Sequence, residues 1–269
     1  MTWLAVTVEV DAGAAEAMSD ALLEAGAESV ALEFGKLAAI LPSRGDPRAT
    51  VARAAQAAGI TEPPWEVTPL EDRDWVRASQ AQFTPFAVGR LWIGASWHNP
   101  PRDAAVTARI DPGLAFGTGS HPTTRLILGF LEKEIEAGQR VLDYGCGSGI
   151  LAVAAAKLGA TGVDAVDIDP QAVEATAANA ALNQVAVRAL AAEALAPAQY
   201  DVVVSNILLQ PLVLLAPLLA ARTRPGGRIA LAGVLESQAS ELIEAYAPWF
   251  DATVVKQLDG WALVAGARR

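Results

Sequence analysis

The fold of this chain is decided by one stretch, Arg140-Val-Leu-Asp-Tyr-Gly-Cys-Gly-Ser-Gly-Ile-Leu-Ala152. Its valine and leucine predict a buried strand, and the alanine-rich run that follows predicts a helix over residues 150–158. Between them, glycines on alternate positions leave the backbone without side-chain bulk. A ligand can therefore approach the main chain closely, and the amide groups at the start of the helix can face it.

The spacing of these glycines separates two classes of cofactor. A dinucleotide-binding turn would read G-x-G-x-x-G, but Ile150 stands where its third glycine would be. The observed G-x-G-x-G, preceded by Asp143, resembles the first motif of the S-adenosylmethionine-dependent methyltransferases. That resemblance implies that Gly145 and Gly147 form the cofactor turn and that Asp143 lies near the cofactor's cationic amino-acid end. A tight strand-to-helix turn without a ligand is the alternative interpretation.

Length, composition and charge restrict the classes of function that this chain can have. Of 269 residues 52% are hydrophobic, which is enough to bury the cores of one large or two modest domains. The net charge of −10 opposes direct nucleic-acid binding and favours basic partners. The single cysteine, Cys146, suits a reducing cytoplasm, and we interpret it as a small apolar residue rather than a nucleophile.

No targeting or membrane segment is expected. The N-terminal residues lack the basic region of a signal peptide. The most apolar run, residues 207–221, is interrupted by a glutamine and prolines, so it is predicted to be a buried core helix rather than a bilayer span. We therefore expect a cytoplasmic protein without a membrane contact, and we expect no metal.

The first part of the chain predicts a small α+β domain, residues 1–68. Predicted strands at 3–10, 29–34, 36–41 and 65–68 and predicted helices at 12–25 and 47–59 follow the order βαββαβ, the ferredoxin-like arrangement. The domain contains no histidine, cysteine or glycine-rich loop, so we interpret it as a recognition module, with structural support as the alternative. Residues 69–82 predict a connecting helix rather than a flexible linker.

Residues 83–269 predict a second domain, a doubly wound α/β sheet with helices after its first four or five strands. Its seven strands are expected at 141–143, 163–167, 185–189, 202–205, 229–232, 252–257 and 261–265, the last two as an antiparallel hairpin. Ahead of this sheet, residues 86–97 and 104–110 predict a pair of strands in an antiparallel ribbon. In such domains ligands bind at the carboxyl ends of the strands, beside the first strand.

Polar residues at the ends of the later strands are predicted to converge on the glycine turn. Asp167, about twenty residues after the glycines, can accept both ribose hydroxyls of an adenosine. Asp169 is expected to cap the helix that begins at Pro170, and Glu193 is a weaker candidate for an adenine contact. Asn206 can either accept a hydrogen bond from an incoming amine and aim its lone pair, or cap the following helix.

A second glycine-rich segment, residues 111–124, predicts a loop that can fold over a ligand. It contains three glycines, two prolines and four hydroxyl residues, and a helix is predicted to follow from Thr124 to Glu136. His121 invites a general-base interpretation. A capping or packing role is favoured because no carboxylate partner stands near it in sequence.

Together these segments resemble the PrmA family, bacterial enzymes that methylate protein eleven of the large ribosomal subunit. The resemblance covers essentially the whole chain. It rests on Asp111-Pro-Gly-Leu-Ala-Phe-Gly-Thr-Gly-Ser-His-Pro-Thr-Thr124, the glycine turn after Asp143, Asp167-Ile-Asp-Pro170, Asn206-Ile-Leu208, Asp74-Trp-Val-Arg77 and Phe83-Thr-Pro-Phe86. Ser120 stands where relatives often carry threonine, which retains the hydroxyl.

The resemblance implies a class I, Rossmann-like S-adenosylmethionine methyltransferase domain behind a ferredoxin-like domain that grips the ribosomal protein. It implies transfer to lysine ε-amines and to the N-terminal α-amine, up to the trimethyl state. It also implies cofactor contacts at Thr124, Gly145, Asp167 and Asn206, and Asn206 is the catalytic candidate. We expect a monomer whose partner is this basic ribosomal protein.

The chemistry of the residues agrees with an amine acceptor. Related methyltransferases that act on planar amides or bases carry Asn-Pro-Pro-Tyr at this position, where the prolines and the aromatic residue hold the flat group. Here Asn206 is followed by Ile-Leu-Leu, so the acceptor site is aliphatic and suits the methylene stem of a lysine. Lysine has a reference pKa of about 10.4, and a desolvated site beside a sulfonium lowers it toward the free amine. Orientation and dehydration then suffice without a strong general base.

Three alternatives remain open from the sequence. The first is an S-adenosylmethionine-dependent methyltransferase of a small-molecule amine or of a nucleic acid, and the acidic net charge and the missing aromatic residues after Asn206 disfavour the nucleic acid. The second is a nicotinamide-dependent oxidoreductase, which the glycine spacing disfavours. The third is a non-catalytic protein that retains a cofactor-binding fold, which the intact set of Asp143, Asp167 and Asn206 disfavours.

Overall fold

The computed structural model describes residues 3–10, 14–33, 36–42, 46–70, 84–111 and 121–269. The chain divides into two compact units, Met1–Gln82 and Phe83–Arg269. The predicted connecting helix lies mostly outside the described residues, and so does the central part of the glycine-rich segment, residues 112–120.

The first unit is a four-stranded antiparallel sheet with two helices. The strands are β1 Trp3–Glu9, β2 Ser29–Glu33, β3 Lys36–Pro42 and β4 Trp65–Leu70, and the helices are α1 Ala15–Glu24 and α2 Pro47–Ala57. The sheet order is β2-β3-β1-β4, with every neighbouring pair antiparallel. Val6 and Val8 alternate on the buried face of β1 and pack with Met18, Leu22 and Val51 of the helices. The ferredoxin-like arrangement is therefore confirmed.

The second unit begins with a three-stranded sheet that differs from the prediction. Its strands are β5 Phe86–Val88, β6 Leu91–Gly94 and β7 Val106–Arg109. The expected ribbon was antiparallel, but β6 pairs with β7 in parallel, and the antiparallel pair is β5 with β6. Gly89, with φ of 57°, turns the chain within residues 86–97, which were predicted as one strand. This segment therefore forms the hairpin of β5 and β6. The connection from β6 to β7 then crosses back, as a parallel pair requires.

The rest of this unit is the predicted doubly wound sheet. Its strands are β8 Arg140–Tyr144, β9 Gly162–Asp167, β10 Val187–Ala191, β11 Tyr200–Asn206, β12 Thr223–Leu235, β13 Phe250–Leu258 and β14 Trp261–Arg268. The order is β10-β9-β8-β11-β12-β14-β13, and β14 runs opposite to the other six strands of this sheet. The hairpin of β13 and β14 is confirmed. The strand order reverses between β8 and β11, which is where such sheets bind ligands.

Helices cover both faces of this sheet: α3 Pro122–Glu134, α4 Ile150–Lys157, α5 Pro170–Asn183, α6 Leu209–Arg222 and α7 Ala239–Tyr246. Val141 of β8 joins the core beneath α3, α4 and α5, whereas Leu142 joins the core beneath α6 and α7. After β10 the chain forms a 3-10 turn, Ala192–Ala194, instead of a helix. No described helix is long and apolar enough to cross a membrane.

Helix α6, formed from the most apolar run of the chain, is buried on one side and exposed on the other. Leu212 and Leu219 are fully buried, but Leu214 is 80% exposed and Leu208, just before the helix, is 70% exposed. The prediction of a buried helix is wrong for this outer side, because composition alone does not show which face of an apolar helix stays exposed among the described residues.

Candidate cofactor and acceptor site

The glycine turn joins β8 to α4 and is tied to the neighbouring strand β9. The amides of Gly145 and Cys146 both donate to the Val166 carbonyl, at 2.8 and 3.1 Å. The Gly147 amide donates to Oδ2 of Asp167 at 2.9 Å. These bonds fix the turn at the carboxyl ends of two adjacent parallel strands.

The glycines of this turn are required by conformation and by space. Gly145, Gly147 and Gly149 have φ angles of 81°, 53° and 77°, a region that side chains rarely adopt. A Cβ on Gly145 would lie 2.5 Å from Cγ2 of Ile207, the residue that follows Asn206. A Cβ on Gly149 would lie 2.8 Å from the Thr176 side chain of α5. The turn is therefore enclosed by β11 on one side and by α5 on the other.

Asp143 lies beneath the turn and is completely buried. Its Oδ2 accepts the Ala152 amide at 3.1 Å. Gly149, the N-cap of α4, has no side chain to cap with, so Asp143 supplies the acceptor for the third helical residue from the preceding strand. Its Oδ1 is a buried atom without a hydrogen-bond partner among the described residues. Burial raises the pKa of this carboxyl to about 7, and the charge of Asp167 adds to the effect.

The raised pKa of Asp143 predicts how stability depends on pH. In unfolded chains an aspartate has a pKa of about 3.9. Between that value and about 7 the folded carboxyl keeps a proton that the unfolded one has lost, so wild-type stability falls as pH rises through this window. Asp143→Asn removes the effect. Its stability relative to the wild type, from denaturant unfolding without cofactor, is expected to improve by about 2 kcal/mol between pH 5 and pH 8. A difference that does not change with pH would contradict the assignment.

Asp167 ends β9 with its carboxylate held in one orientation. Besides the Gly147 amide on Oδ2, its Oδ1 accepts the Asp169 amide at 3.1 Å. Each oxygen accepts one bond from the described residues, and a carboxylate oxygen can accept two. Asp169 itself accepts the Gln171 amide at 2.9 Å and caps α5, as predicted. Ile168, between the two aspartates, is 85% exposed at this edge.

Asn206 and Thr124 are 82 positions apart in sequence and are in contact. Nδ2 of Asn206 donates to Oγ1 of Thr124 at 3.2 Å, and Thr124 is buried in the first turn of α3. The N-cap of α6 is Leu208, so the alternative in which Asn206 caps that helix is wrong. Ser205 donates to the Tyr144 carbonyl at 2.7 Å and ties the end of β11 to the end of β8.

Two residues that invited a chemical interpretation have structural roles. His121 is the N-cap of α3. Its Nδ1 lies 2.7 Å from Oγ1 of Thr123, and its ring packs edge-on against Trp261 with centroids 4.7 Å apart. Cys146 is buried, and burial raises the pKa of its thiol to about 12, so no thiolate forms at neutral pH. The capping histidine and the small buried cysteine are both confirmed. Glu193 is exposed on the 3-10 turn after β10.

All six predicted site residues lie at the carboxyl ends of β8, β9 and β11 or contact them: Thr124, Asp143, Gly145, Gly147, Asp167 and Asn206. Sequence reasoning missed three buried polar residues of α5, namely Thr176, Asn179 and Asn183. Thr176 donates to the Gly147 carbonyl at 3.1 Å, and Asn179 donates to the Ser148 carbonyl at 2.9 Å. Their spacing along one face of an alanine-rich helix was the available signal.

Sequence comparison identifies the family. The family described as ribosomal protein L11 methyltransferase (PrmA) matches residues 33–269. Ribosomal protein L11 methyltransferases from Cupriavidus taiwanensis and Neisseria meningitidis are 46% and 45% identical to this chain, and both comparisons cover 100% of each protein.

Structure comparison agrees. A ribosomal protein L11 methylase from Lactobacillus delbrueckii subsp. bulgaricus is 32% identical with a TM-score of 0.62, over 69% of this chain and 98% of that one. A T. thermophilus 16S rRNA methyltransferase, solved with AdoMet and guanosine, is 21% identical with a TM-score of 0.53, over 89% of this chain and 57% of that one, and shows the fold alone. The predicted fold class and S-adenosylmethionine cofactor are confirmed, and the chain belongs to the ribosomal protein L11 methyltransferase (PrmA) family.

Proposed function

We propose that this protein transfers methyl groups from S-adenosylmethionine to lysine ε-amines and to the N-terminal α-amine of ribosomal protein L11, up to the trimethyl state. Family membership supports the substrate. The observation that supports the chemistry is the hydrogen bond from Asn206 to Thr124. Asn206 immediately precedes Ile207, whose side chain packs on the glycine turn.

The residues around the turn fit the cofactor. Asp143 offers a buried carboxylate oxygen without a described partner, which suits a ligand's ammonium group. Asp167 offers two fixed carboxylate oxygens for the ribose hydroxyls. Gly145 and Gly147 carry no side chains of their own, which allows the ligand to approach the backbone of the turn. When bound, the cofactor supplies a methyl group on a sulfonium for in-line transfer.

Asn206 orients the acceptor amine. Because Nδ2 is engaged by Thr124, the amide has a defined orientation in which Oδ1 is available as an acceptor. That oxygen can accept a hydrogen bond from an N–H of the incoming amine and so direct the lone pair of the amine nitrogen toward the methyl group. The half-buried Ile207 and the exposed Leu208 offer apolar contacts to the methylene stem of a lysine. Burial of the ammonium beside a sulfonium lowers its pKa and favours the reactive free amine.

Each segment of the chain has a proposed role in this reaction. We take residues 1–68 as the domain that recognises L11, residues 69–82 as the connector, and residues 83–269 as the methyltransferase domain. The net charge of −10 favours encounter with a basic ribosomal protein and disfavours direct contact with RNA. We expect the enzyme to act as a monomer in the cytoplasm.

A labelled-methyl transfer assay tests the substrate. Purified large-subunit proteins from cells that lack this enzyme are incubated with labelled S-adenosylmethionine, and the products are mapped by mass spectrometry. Label is expected on L11 alone, as trimethyl-lysine and trimethylated α-amine. Free lysine and small amines serve as competing acceptors in the same reaction. Label on the small amines with none on L11 would discard the proposal in favour of a small-molecule methyltransferase.

A further inference from the structure

Two buried asparagines of α5 bind the chain at the end of β7: Asn183 binds Arg109, the last residue of β7, and Asn179 binds Asp111, two residues beyond it. Asn183 accepts the Arg109 amide at 2.7 Å and donates to the Arg109 carbonyl at 2.5 Å. Asn179 accepts the Asp111 amide at 2.9 Å and donates to the Asp111 carbonyl at 3.3 Å. Four helical residues rise about 6 Å and two strand residues about 6.6 Å, so the two amides match alternate residues of the extended chain. Among the described residues β7 has no strand paired on this side, and the two asparagines bind the backbone there and just after it.

The two asparagines differ in one contact. Nδ2 of Asn179 also donates to the Ser148 carbonyl within the glycine turn, at 2.9 Å. Nδ2 of Asn183 donates instead to the Asn179 carbonyl of its own helix, at 2.7 Å. Both side chains are more than nine-tenths buried. Asn179 is therefore the side chain that joins Asp111 to the turn, and Asn183 is a natural control that contacts Arg109 in the same way.

The turn needs such an external constraint. Its three glycines have positive φ angles and lose more conformational freedom on ordering than other residues would. A buried side-chain bond to Ser148 removes part of that freedom before a ligand arrives, which favours binding by preorganisation. The side chain of Asn179 also ties the turn to Asp111, which lies at one end of the glycine-rich segment. Thr124, at the other end of that segment, is bound to Asn206.

We propose that Asn179 is a positioning residue for S-adenosylmethionine: it holds the Ser148 peptide of the glycine turn in register with Asp111, so that the turn is ordered for the cofactor. The inference rests on the proposed placement of the cofactor at this turn. It assigns Asn179 no contact with the cofactor. Its effect should therefore appear in cofactor affinity beyond any loss of stability.

The test compares Asn179→Ala with Asn183→Ala. Each variant loses three side-chain bonds, two of them to the backbone of Asp111 or of Arg109, so comparable losses of stability are expected in denaturant unfolding. The dissociation constant for S-adenosylmethionine, measured by calorimetry well below both unfolding midpoints, is expected to rise about 10- to 100-fold for Asn179→Ala. For Asn183→Ala it should stay within about threefold of the wild type. Equal weakening in both variants, or none in Asn179→Ala, would overturn the proposal.

Two further variants keep the test decisive. If Asn179→Ala does not fold, the isosteric pair Asn179→Asp and Asn183→Asp carries the same comparison, because each keeps an acceptor for the Asp111 or Arg109 amide, loses its amide donors and adds the same buried carboxyl group. Gly145→Ala tests the placement of the cofactor separately. Unchanged affinity in that variant would remove the site on which the inference rests. Lost affinity there, combined with equal effects of the two asparagines, would overturn the positioning role alone.

Discussion

Methyl transfer to L11 is expected to fall about 10²- to 10³-fold when Asn206 is replaced by alanine. The substitution removes the amide oxygen proposed to align the acceptor amine, and the fixed orientation that its bond to Thr124 provides. The loss should appear in kcat, because alignment acts on the reacting geometry more than on the capture of L11. Single-turnover rates at saturating cofactor and L11, read by mass spectrometry, measure it.

Thr124→Val is the matched variant for this prediction. It keeps the shape of the threonine and the Asn206 amide but removes the hydroxyl that orients that amide. We expect a loss of about tenfold, smaller than that of Asn206→Ala. If Asn206→Ala transfers methyl groups within threefold of the wild-type rate, Asn206 is not the catalytic residue.

Gly145→Ala is expected to weaken S-adenosylmethionine binding about 100-fold or more. The added Cβ would meet Cγ2 of Ile207 at 2.5 Å, and Ile207 is β-branched with few alternative rotamers. The turn must then move away from β11, which displaces the backbone proposed to face the ligand. Calorimetric titration with the cofactor gives the affinity directly.

Two variants separate this steric effect from backbone strain. Gly138 has a φ of 91° with nothing within 4 Å of its would-be Cβ, so Gly138→Ala has comparable strain, about 1–2 kcal/mol, without a clash. It should lower stability and leave cofactor affinity unchanged. Adding Ile207→Ala to Gly145→Ala removes the clashing methyl group and should restore part of the affinity. If Gly138→Ala weakens binding as strongly as Gly145→Ala, the explanation by local contact fails.

Local patterns were sufficient for most of the sheet and of the site. Strand periodicity placed all seven strands of the main sheet, because each apolar run is bounded by a turn or a helix start. The positions of Asp167 and Asn206 followed in turn, since the carboxyl ends of parallel strands share one edge. Asp169 before Pro170 was sufficient to predict a helix cap, because capping depends on neighbouring residues only.

The missed features depend on contacts that are distant in sequence. The parallel pairing of β6 with β7 depends on where the connection between them crosses, which residue types do not encode. The capping role of Asp143 arises because Gly149 offers no side chain, and the bond between Asn179 and Ser148 joins α5 to a turn that precedes it by a strand. Such bonds become visible only when the backbone brings the partners together.

The placement of β14 between β12 and β13 has a consequence for synthesis of the chain. β13 is translated first, yet it reaches the sheet only through β14. A growing chain therefore carries an unprotected edge on β12 and a strand without a partner until residues 261–268 have emerged from the ribosome. Exposed edges of this kind are templates for misassembly. The nascent enzyme is thus exposed to misassembly at the edge of β12 until the hairpin of β13 and β14 has formed.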